Sequence, residues 1–522
     1  MKRNFRRICL FLLLVIAPGF SSTQEASSPV YVIRTIDFSV TGRTRPFALI
    51  YNGDFKEGEE IRGTANLEKY IRDKTQLLIN QRVLEEVRID YTLGEAESGG
   101  EIPVHLLITV KDTWNIIAVP YPKYDTNTGF ELIIKARDYN LFGTMNPLRI
   151  DLGYKYDENN KNSVVFEIDS DTPFRAWGYN WNINFDHFFS YRPEVEEPFY
   201  YKNVTGLSME LPFKTTTFTF GFEESITLNE ENEDRYKAQY GDFQNGPYMR
   251  SKTYTSWEIP TGLNISNYGE LTYTPELSAA FNYGFPQSPL DEFRNGPFLD
   301  LSHSLGFNRV NWIGNYRRGF DVSAENTYSY NFHKIEKNEK NLNFNYIISG
   351  AGFFIINDNF GFSGRLQFRH WFYHNPDYND KAGDALRGIL DKAVQADYML
   401  SLNLDFPFRV FRFLPSQWFG VSKLRFFDFD LHFSPVIDLA LYHDPEPETT
   451  FHPKNILASG GVELIVFPAF MRSLYIRASF AWNFVEFVND PGGSYLPSGL
   501  PVIPKLPGGD NREIFIGIGH HY

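Results

Sequence analysis

The chain has 522 residues, a formal charge of −14 and one cysteine. Its acidic balance argues against a nucleic-acid partner, since phosphate binding needs a basic surface, and a single thiol excludes a disulfide framework or a cysteine-rich metal centre. Aromatic residues make up 17% of the chain, the mean hydropathy is −0.34, and no run approaches about 18 uninterrupted apolar residues, so no transmembrane helix is expected.

Residues 1–22 read as a secretory signal. Lys2, Arg3, Arg6 and Arg7 form a basic start, Ile8 to Ala17 an apolar stretch too short to span a bilayer, and Gly19 to Ser22 a small-residue cleavage region. Cleavage removes Cys9 and four cations, which takes the formal charge to −18. The mature chain is then an exported protein with no thiol.

Residues 29–112 form a small mixed segment. A strand is expected over Val30 to Val40, a helical turn or two over Arg45 to Tyr51, and a loop from Gly53 to Glu60. Leu67, Tyr70, Ile71, Leu77 and Leu78 have helical spacing, interrupted by the polar Lys74. Two alternating segments follow, Val87, Ile89, Tyr91 and Leu93, then Val104, Leu106, Ile108 and Val110. The order strand, helix, helix, strand, strand and the pattern LEKYIRDKTQLLINQRVLEEVRIDYTL followed by IPVHLLITVKDTW resemble a POTRA domain. The resemblance implies a periplasmic domain whose sheet edge adds an extended client strand by backbone pairing. Val104, Leu106, Ile108 and Val110 are the expected edge.

From residue 113 to 522 the helical period gives way to alternation. Phe130, Leu132, Ile134 and Ala136 oppose Glu131, Lys135 and Arg137. Leu148, Ile150, Leu152, Tyr154 and Tyr156 oppose Arg149, Asp151, Gly153 and Lys155. Trp177, Tyr179, Trp181, Ile183 and Phe185 oppose Gly178 and three asparagines. A β-sandwich would need apolar inner faces on both sheets and few aromatics in register outside. An antiparallel transmembrane β-barrel explains one greasy and one polar face on every strand. The fold expected is therefore mainly β, a barrel of about 16 strands after a small α+β domain. The count runs from sixteen to eighteen, because Pro120 and Pro122 interrupt the first strand and Arg250 to Phe285 divides in two ways. Asn229 to Pro247 and Phe487 to Asn511 read as long loops.

Within the barrel, GFELIIKARDYNLFGTMNPLRIDLGYKY resembles the first strands of the BamA/TamA-like assembly and translocation superfamily, the bacterial surface-antigen family, with Asn140 to Gly143 as its Asn-Leu-Phe-Gly link. Leu386, Arg387, Gly388 and Ile389 resemble the Val-Arg-Gly-aromatic tip of that family's inward-folded loop. The resemblance implies that Arg387 contacts an aspartate on a following strand, at the place held here by Asp438. In its strand Asp438 shares a face with His432 and Ser434, opposite Leu431, Phe433, Ile437, Leu439 and Leu441, and so points into the lumen, where an enclosed arginine needs a carboxylate for its forked donors. Ile389 replaces the usual aromatic, and Ala440 stands where glycine is common. Arg318, Gly319 and Phe320 match the triplet better, but about eight strands follow them instead of the family's five, and they run straight into an alternating strand.

The last ten residues, EIFIGIGHHY, set Ile514, Ile516, Ile518, His520 and Tyr522 against Phe515, Gly517, Gly519 and His521. A terminal strand ending in an aromatic resembles the recognition signal of outer-membrane barrels, and Ile514, Ile516, Gly517, Ile518, Gly519 and Tyr522 are the expected signal and seam residues. The two glycines would weaken packing and let the strand bend.

The chain carries no phosphate loop, metal-ligand cluster or G-x-S-x-G nucleophile motif. No catalytic residue, metal or cofactor is expected, and the protein is expected not to be an enzyme. What the resemblance implies is an outer-membrane protein of a diderm bacterium that inserts β-barrel proteins or translocates polypeptide by strand pairing at a lateral seam. Its partners would be outer-membrane lipid, unfolded barrel or secreted clients, and accessory periplasmic or lipoprotein subunits. The rival readings are a passive porin and an outer-membrane lipolytic enzyme.

Overall fold

The computed structural model describes residues 29–97, 99–125, 129–156, 162–194, 198–229, 246–265, 269–284, 297–332, 341–371, 382–389, 396, 398–443, 456–484 and 512–518. The expected signal, the first long loop except for Asn229, Gly246 and Pro247, the whole of the second, and Gly519 to Tyr522 lie outside the described residues.

The small domain consists of β1 (Val30–Thr41), α1 (Pro46–Gly53), β2 (Glu60–Arg62), α2 (Thr64–Asn80), β3 (Leu84–Leu93) and β4 (Glu101–Asp112). Pro46 opens α1, where its fixed φ suits a first turn and its missing N–H costs nothing. The core is built from the apolar positions of both periods: Ile33, Leu49, Leu67, Leu78, Val104, Leu106, Ile108 and Val110 are all buried. Lys74, the polar interruption of α2, is buried too, and its ammonium donates to the Asp54 carbonyl at the end of α1.

The expected client edge is not an edge. The sheet order is β2-β1-β4-β3, with β4 parallel to β1 and antiparallel to β3. Val104, Leu106, Ile108 and Val110 thus lie on the central strand, and their side chains form the core floor. Alternation reveals which face of a strand is buried but not which strands flank it. The helical crossover that makes β1 and β4 parallel carries the last strand into the middle. The full-length free edge is β3.

The barrel runs from β5 (Ile116–Asp125) to β23 (Arg512–Ile518), each strand antiparallel to the next, and it closes by pairing of β23 with β5. Tyr398–Asp405 (β18) and Phe408–Phe413 (β19) are two halves of one wall strand, broken at Phe406 and Pro407, and both pair with β20 (Phe429–His443). With those halves counted once, the described residues form eighteen strands, not about 16. The two extra strands come from the places where the sequence reading was divided. β5 forms despite Pro120 and Pro122, because it pairs along its length with β6 (Gly129–Asp138) and, among the described residues, has few ladder partners on its other side. The Arg250 to Phe285 region divides into Pro247–Ile265 and Gly269–Tyr283.

The barrel is inverted relative to a water-soluble protein. On β20, Ile437 and Leu439 are 41% and 40% exposed on the outer wall, while Asp438 between them is 0% exposed. Leu464 and Glu463 repeat the contrast on β21 (Ile456–Pro468), as do Leu132 and Glu131 on β6. An apolar exterior around a polar interior is what a lipid solvent requires, because every backbone group is satisfied by a closed ladder and the wall meets hydrocarbon. Among the described residues, no helix is long and apolar enough to cross a membrane.

Candidate functional site: loop, lumen and seam

The segment Ala382–Ile389 folds back inside the wall, where Ala385, Leu386 and Ile389 pack with Ala396, Met399, Ala440 and Leu457 in a buried cluster. Ile389, in place of an aromatic, and the methyl of Ala440 occupy the same cluster. The loop tip contacts six wall elements in succession. Arg369 on β17 (Phe360–Trp371) pairs with Asp384 at 2.9 Å, and Asn403 on β18 donates to the Ala385 carbonyl at 2.8 Å. The remaining contacts reach β20, β21, β22 (Ile476–Asn483) and β23.

Arg387 is 2% exposed and is surrounded by carboxylates. Its Nε and Nη2 donate to the two oxygens of Asp438 at 2.9 and 2.6 Å, and its backbone N–H donates to the same carboxylate at 2.7 Å. Nη1 reaches Asp405 at 2.5 Å and Glu463 at 3.4 Å. Glu463 in turn accepts from Arg477 on β22 at 3.0 Å, and the Arg477 guanidinium stacks 4.3 Å from the Phe515 ring on β23. Two buried guanidiniums thus share three carboxylates, which is how charges persist away from bulk water. The arrangement fixes a loop in a polar interior, and the Ser363 hydroxyl donates to Asp405 at 3.2 Å on its margin.

Gly388 carries the loop against the last two strands. Its φ is +84°, and a Cβ there would lie 2.7 Å from the Trp482 nitrogen on β22. Its N–H donates to the Glu513 carboxylate on β23 at 2.8 Å. Sequence reading missed Asp405, Glu463, Arg477 and Glu513. Each is a polar residue on an alternating strand, and only the closed barrel brings them to one point.

The seam is short. β23 and β5 pair at Phe515 with Asp125 and at Ile516 with Tyr124, whereas β22 and β23 pair over seven positions and β5 and β6 over ten. Beyond those pairs the Tyr121 hydroxyl of β5 donates to the Ile516 carbonyl at 3.5 Å. Gly517 makes this approach possible, because a Cβ at that position would collide with the Tyr121 hydroxyl and the Phe515 ring. Ile516 faces outward, Ile514 is half-buried, and Ile518 pairs with Ile476. The decoy triplet lies in β15 (Tyr316–Asn331), within a wall strand; there Gly319 packs against the Arg309 carbonyl of the neighbouring strand.

The small domain is docked on the barrel mouth at the end opposite the loop's entry. Asn140, in the turn between β6 and β7 (Leu148–Tyr156), is fully buried and donates to Thr44 at 2.8 Å and Asp112 at 3.3 Å. Asp112 also accepts from the N–H groups of Arg43 and Thr44 and from the Thr44 hydroxyl at 2.6 Å. Asn140 to Gly143 is thus the joint between domain and barrel, and Gly143, at φ +78°, lies against the Arg43 backbone. Across the mouth, Arg82 stacks 4.1 Å from Trp312 and donates to the Arg472 carbonyl, and Asp73 pairs with Arg309 at 2.6 Å. Burial pulls the Arg82 guanidinium down to about 10, still cationic at neutral pH. A cavity of about 570 Å³, lined by Arg82, Arg412, Arg425, Arg472, Asp428 and Asp430, lies between domain and wall.

No protein-family model matches the chain, and no curated protein matches it. Among solved structures the chain is similar to BamA from Haemophilus ducreyi lacking POTRA domains 1–3, at 12% identity over 93% of this chain and 84% of that one, with a TM-score of 0.40. It is similar to CdiB from Acinetobacter baumannii at 13% identity, covering 94% and 74% with a TM-score of 0.44. CdiB from Escherichia coli gives 11% identity, 97% and 92% coverage and a TM-score of 0.40.

Proposed function

We propose that this protein is an outer-membrane barrel that assists the insertion of β-barrel proteins, or the translocation of polypeptide, by pairing a client strand at the seam between β5 and β23. The observation that carries the reading is that, among the described residues, two ladder pairs close the barrel between β23 and β5, against seven and ten on the flanking strand pairs. Unpaired backbone groups are costly in hydrocarbon, so a short seam favours exchange with a client strand and needs no nucleotide. The lipid-compatible exterior and the loop-filled lumen fit this use better than they fit an open diffusion pore.

The small domain acts as a POTRA-like periplasmic element in this reading. Its client edge is β3, since the central position of β4 leaves no backbone group free there. The reading includes unfolded barrel or secreted clients, accessory periplasmic or lipoprotein subunits, and no covalent chemistry.

The test is depletion of the protein followed by a census of outer-membrane and secreted proteins. Broad loss of barrel proteins marks an insertase, and loss of one secreted protein marks a dedicated transporter. An unchanged census, together with conductance of the purified barrel in planar bilayers, would make it a passive pore and overturn the reading.

A further inference from the structure

The connector between β19 and β20 differs from its neighbours. At the domain end of the barrel, Gly314 and Asn315 join two strands, as do Asp358 and Asn359, but Leu414 to Asp428 is an ordered structure of its own. It holds α3 (Pro415–Phe419) and a 3-10 turn over Ser422–Phe427, separated by Gly420 at φ +64°. The next wall strand, β20, begins only at Phe429.

Asp428 ties the connector together: it is buried, accepts from the Ser416 N–H at 3.0 Å and from the Ser416 hydroxyl, and its carbonyl accepts from Ala469 at 2.8 Å. Phe426 stacks on Phe470 with ring centres 4.6 Å apart, and Trp418 meets Phe413 edge-on at 5.1 Å. The construction nonetheless leaves Trp418 57%, Phe419 72%, Phe426 62% and Phe427 56% exposed. Rings held outward on an ordered scaffold indicate that something apolar covers them.

Two observations identify the cover as lipid. The exposed rings continue the apolar outer wall through Phe408, Val410 and Phe411 of β19, all exposed. Cationic Lys423, also exposed, and Arg425 lie among them. Trp and Phe beside basic residues are the composition of an element lying in a bilayer interface.

We propose that Leu414 to Asp428 is an interfacial foot, embedded in the periplasmic leaflet of the bilayer around the barrel, with Trp418, Phe419, Phe426 and Phe427 at the acyl boundary and Lys423 at the lipid phosphates. The proposal rests on the membrane reading of the barrel. Arg425 pairs with Glu85 of the small domain at 2.6 Å, so the foot also ties that domain to the membrane surface.

Spin labelling tests it. Cys9→Ser removes the only thiol of the chain, and single cysteines are then placed at Phe419, Phe427, the outer-wall reference Ile437 and the exposed small-domain reference Glu57. The full-length protein is reconstituted in phosphatidylethanolamine–phosphatidylglycerol nanodiscs. Labels at Phe419 and Phe427 are expected to relax several-fold faster with oxygen than with a water-soluble nickel chelate, as at Ile437, with the reverse order at Glu57. A foot label that behaves like Glu57 while Ile437 is lipid-like overturns the foot alone. Shielding from both reagents means a protein covers it and also overturns it. A water-like Ile437 overturns the membrane reading and the foot with it. Two foot positions keep the test decisive if one variant fails to fold.

Discussion

Asp438 holds Arg387 by three hydrogen bonds, from the backbone N–H at 2.7 Å, Nε at 2.9 Å and Nη2 at 2.6 Å. One carboxylate thus fixes both the side chain and the chain direction of the loop. Removing Arg387 leaves the buried Asp438 carboxylate uncompensated, a loss of about 3–5 kcal/mol where such pairs have been broken, and removing Asp438 takes away the acceptor of the fork while Asp405 and Glu463 still face the guanidinium. Arg387→Ala and Asp438→Ala are each expected to lower the temperature at which the folded barrel unfolds in detergent electrophoresis. The double variant should lose much less than the two single losses together; full additivity would mean the pair does not act as a unit. Arg387→Lys should not restore stability, since an ammonium cannot reproduce the fork.

Gly388→Ala combines an unfavourable φ with a Cβ pressed on the β22 backbone. The loop tip is expected to leave its seat while the wall stays closed. Protease accessibility of the loop should rise with the strand content by circular dichroism unchanged. An unaltered digestion pattern would show that the contact does not hold the loop.

The seam can be locked. Tyr124 and Ile516 are directly paired across it, so a Tyr124→Cys, Ile516→Cys pair in a Cys9→Ser background should form a disulfide that abolishes client insertion or export and is reversed by reductant. A control pair at Ile183 and Leu207, opposed on two interior wall strands, should leave function intact. Full activity of the locked seam would exclude strand exchange there.

Acid should loosen the small domain from the foot. Burial opposes ionisation of Glu85, but Lys111 at 3.0 Å and Arg425 at 2.6 Å outweigh it and hold the carboxyl below its usual range. A depressed folded-state value means the stabilisation is present at neutral pH and is lost as pH falls through that lowered value. Hydrogen exchange over Leu84–Leu93 should accelerate on acidification, and Glu85→Gln should show the faster exchange already at pH 7 with a flatter pH response. An identical pH response in Glu85→Gln would remove Glu85 as the cause.

The faces of the strands were legible because a period of two is a local property: each Leu, Phe or Tyr of 398 to 408 alternates with a polar neighbour whatever lies beside the strand. The placement of Arg387 and Asp438 drew on resemblance as well as on face parity. Asp405, Glu463, Arg477 and Glu513 gave no such signal, since a polar residue on a lumen face looks the same whether it lines water or receives a buried guanidinium. Val104 to Val110 failed as an edge for a related reason: its apolar face was correct, but its neighbours were not encoded in the alternation.

By itself the sequence determined an acidic, nearly thiol-free chain, a small mixed segment ahead of it, and strands with one apolar and one polar face. Those features depend on side-chain type and on spacing within about ten residues. Only the tertiary structure decided the eighteen-strand closure, the central position of β4, the seam where Gly517 admits Tyr121, and the aromatic connector before β20. Each depends on which strand lies beside which, and that is set by ladder pairing between residues up to about 400 positions apart, where local periodicity carries no information.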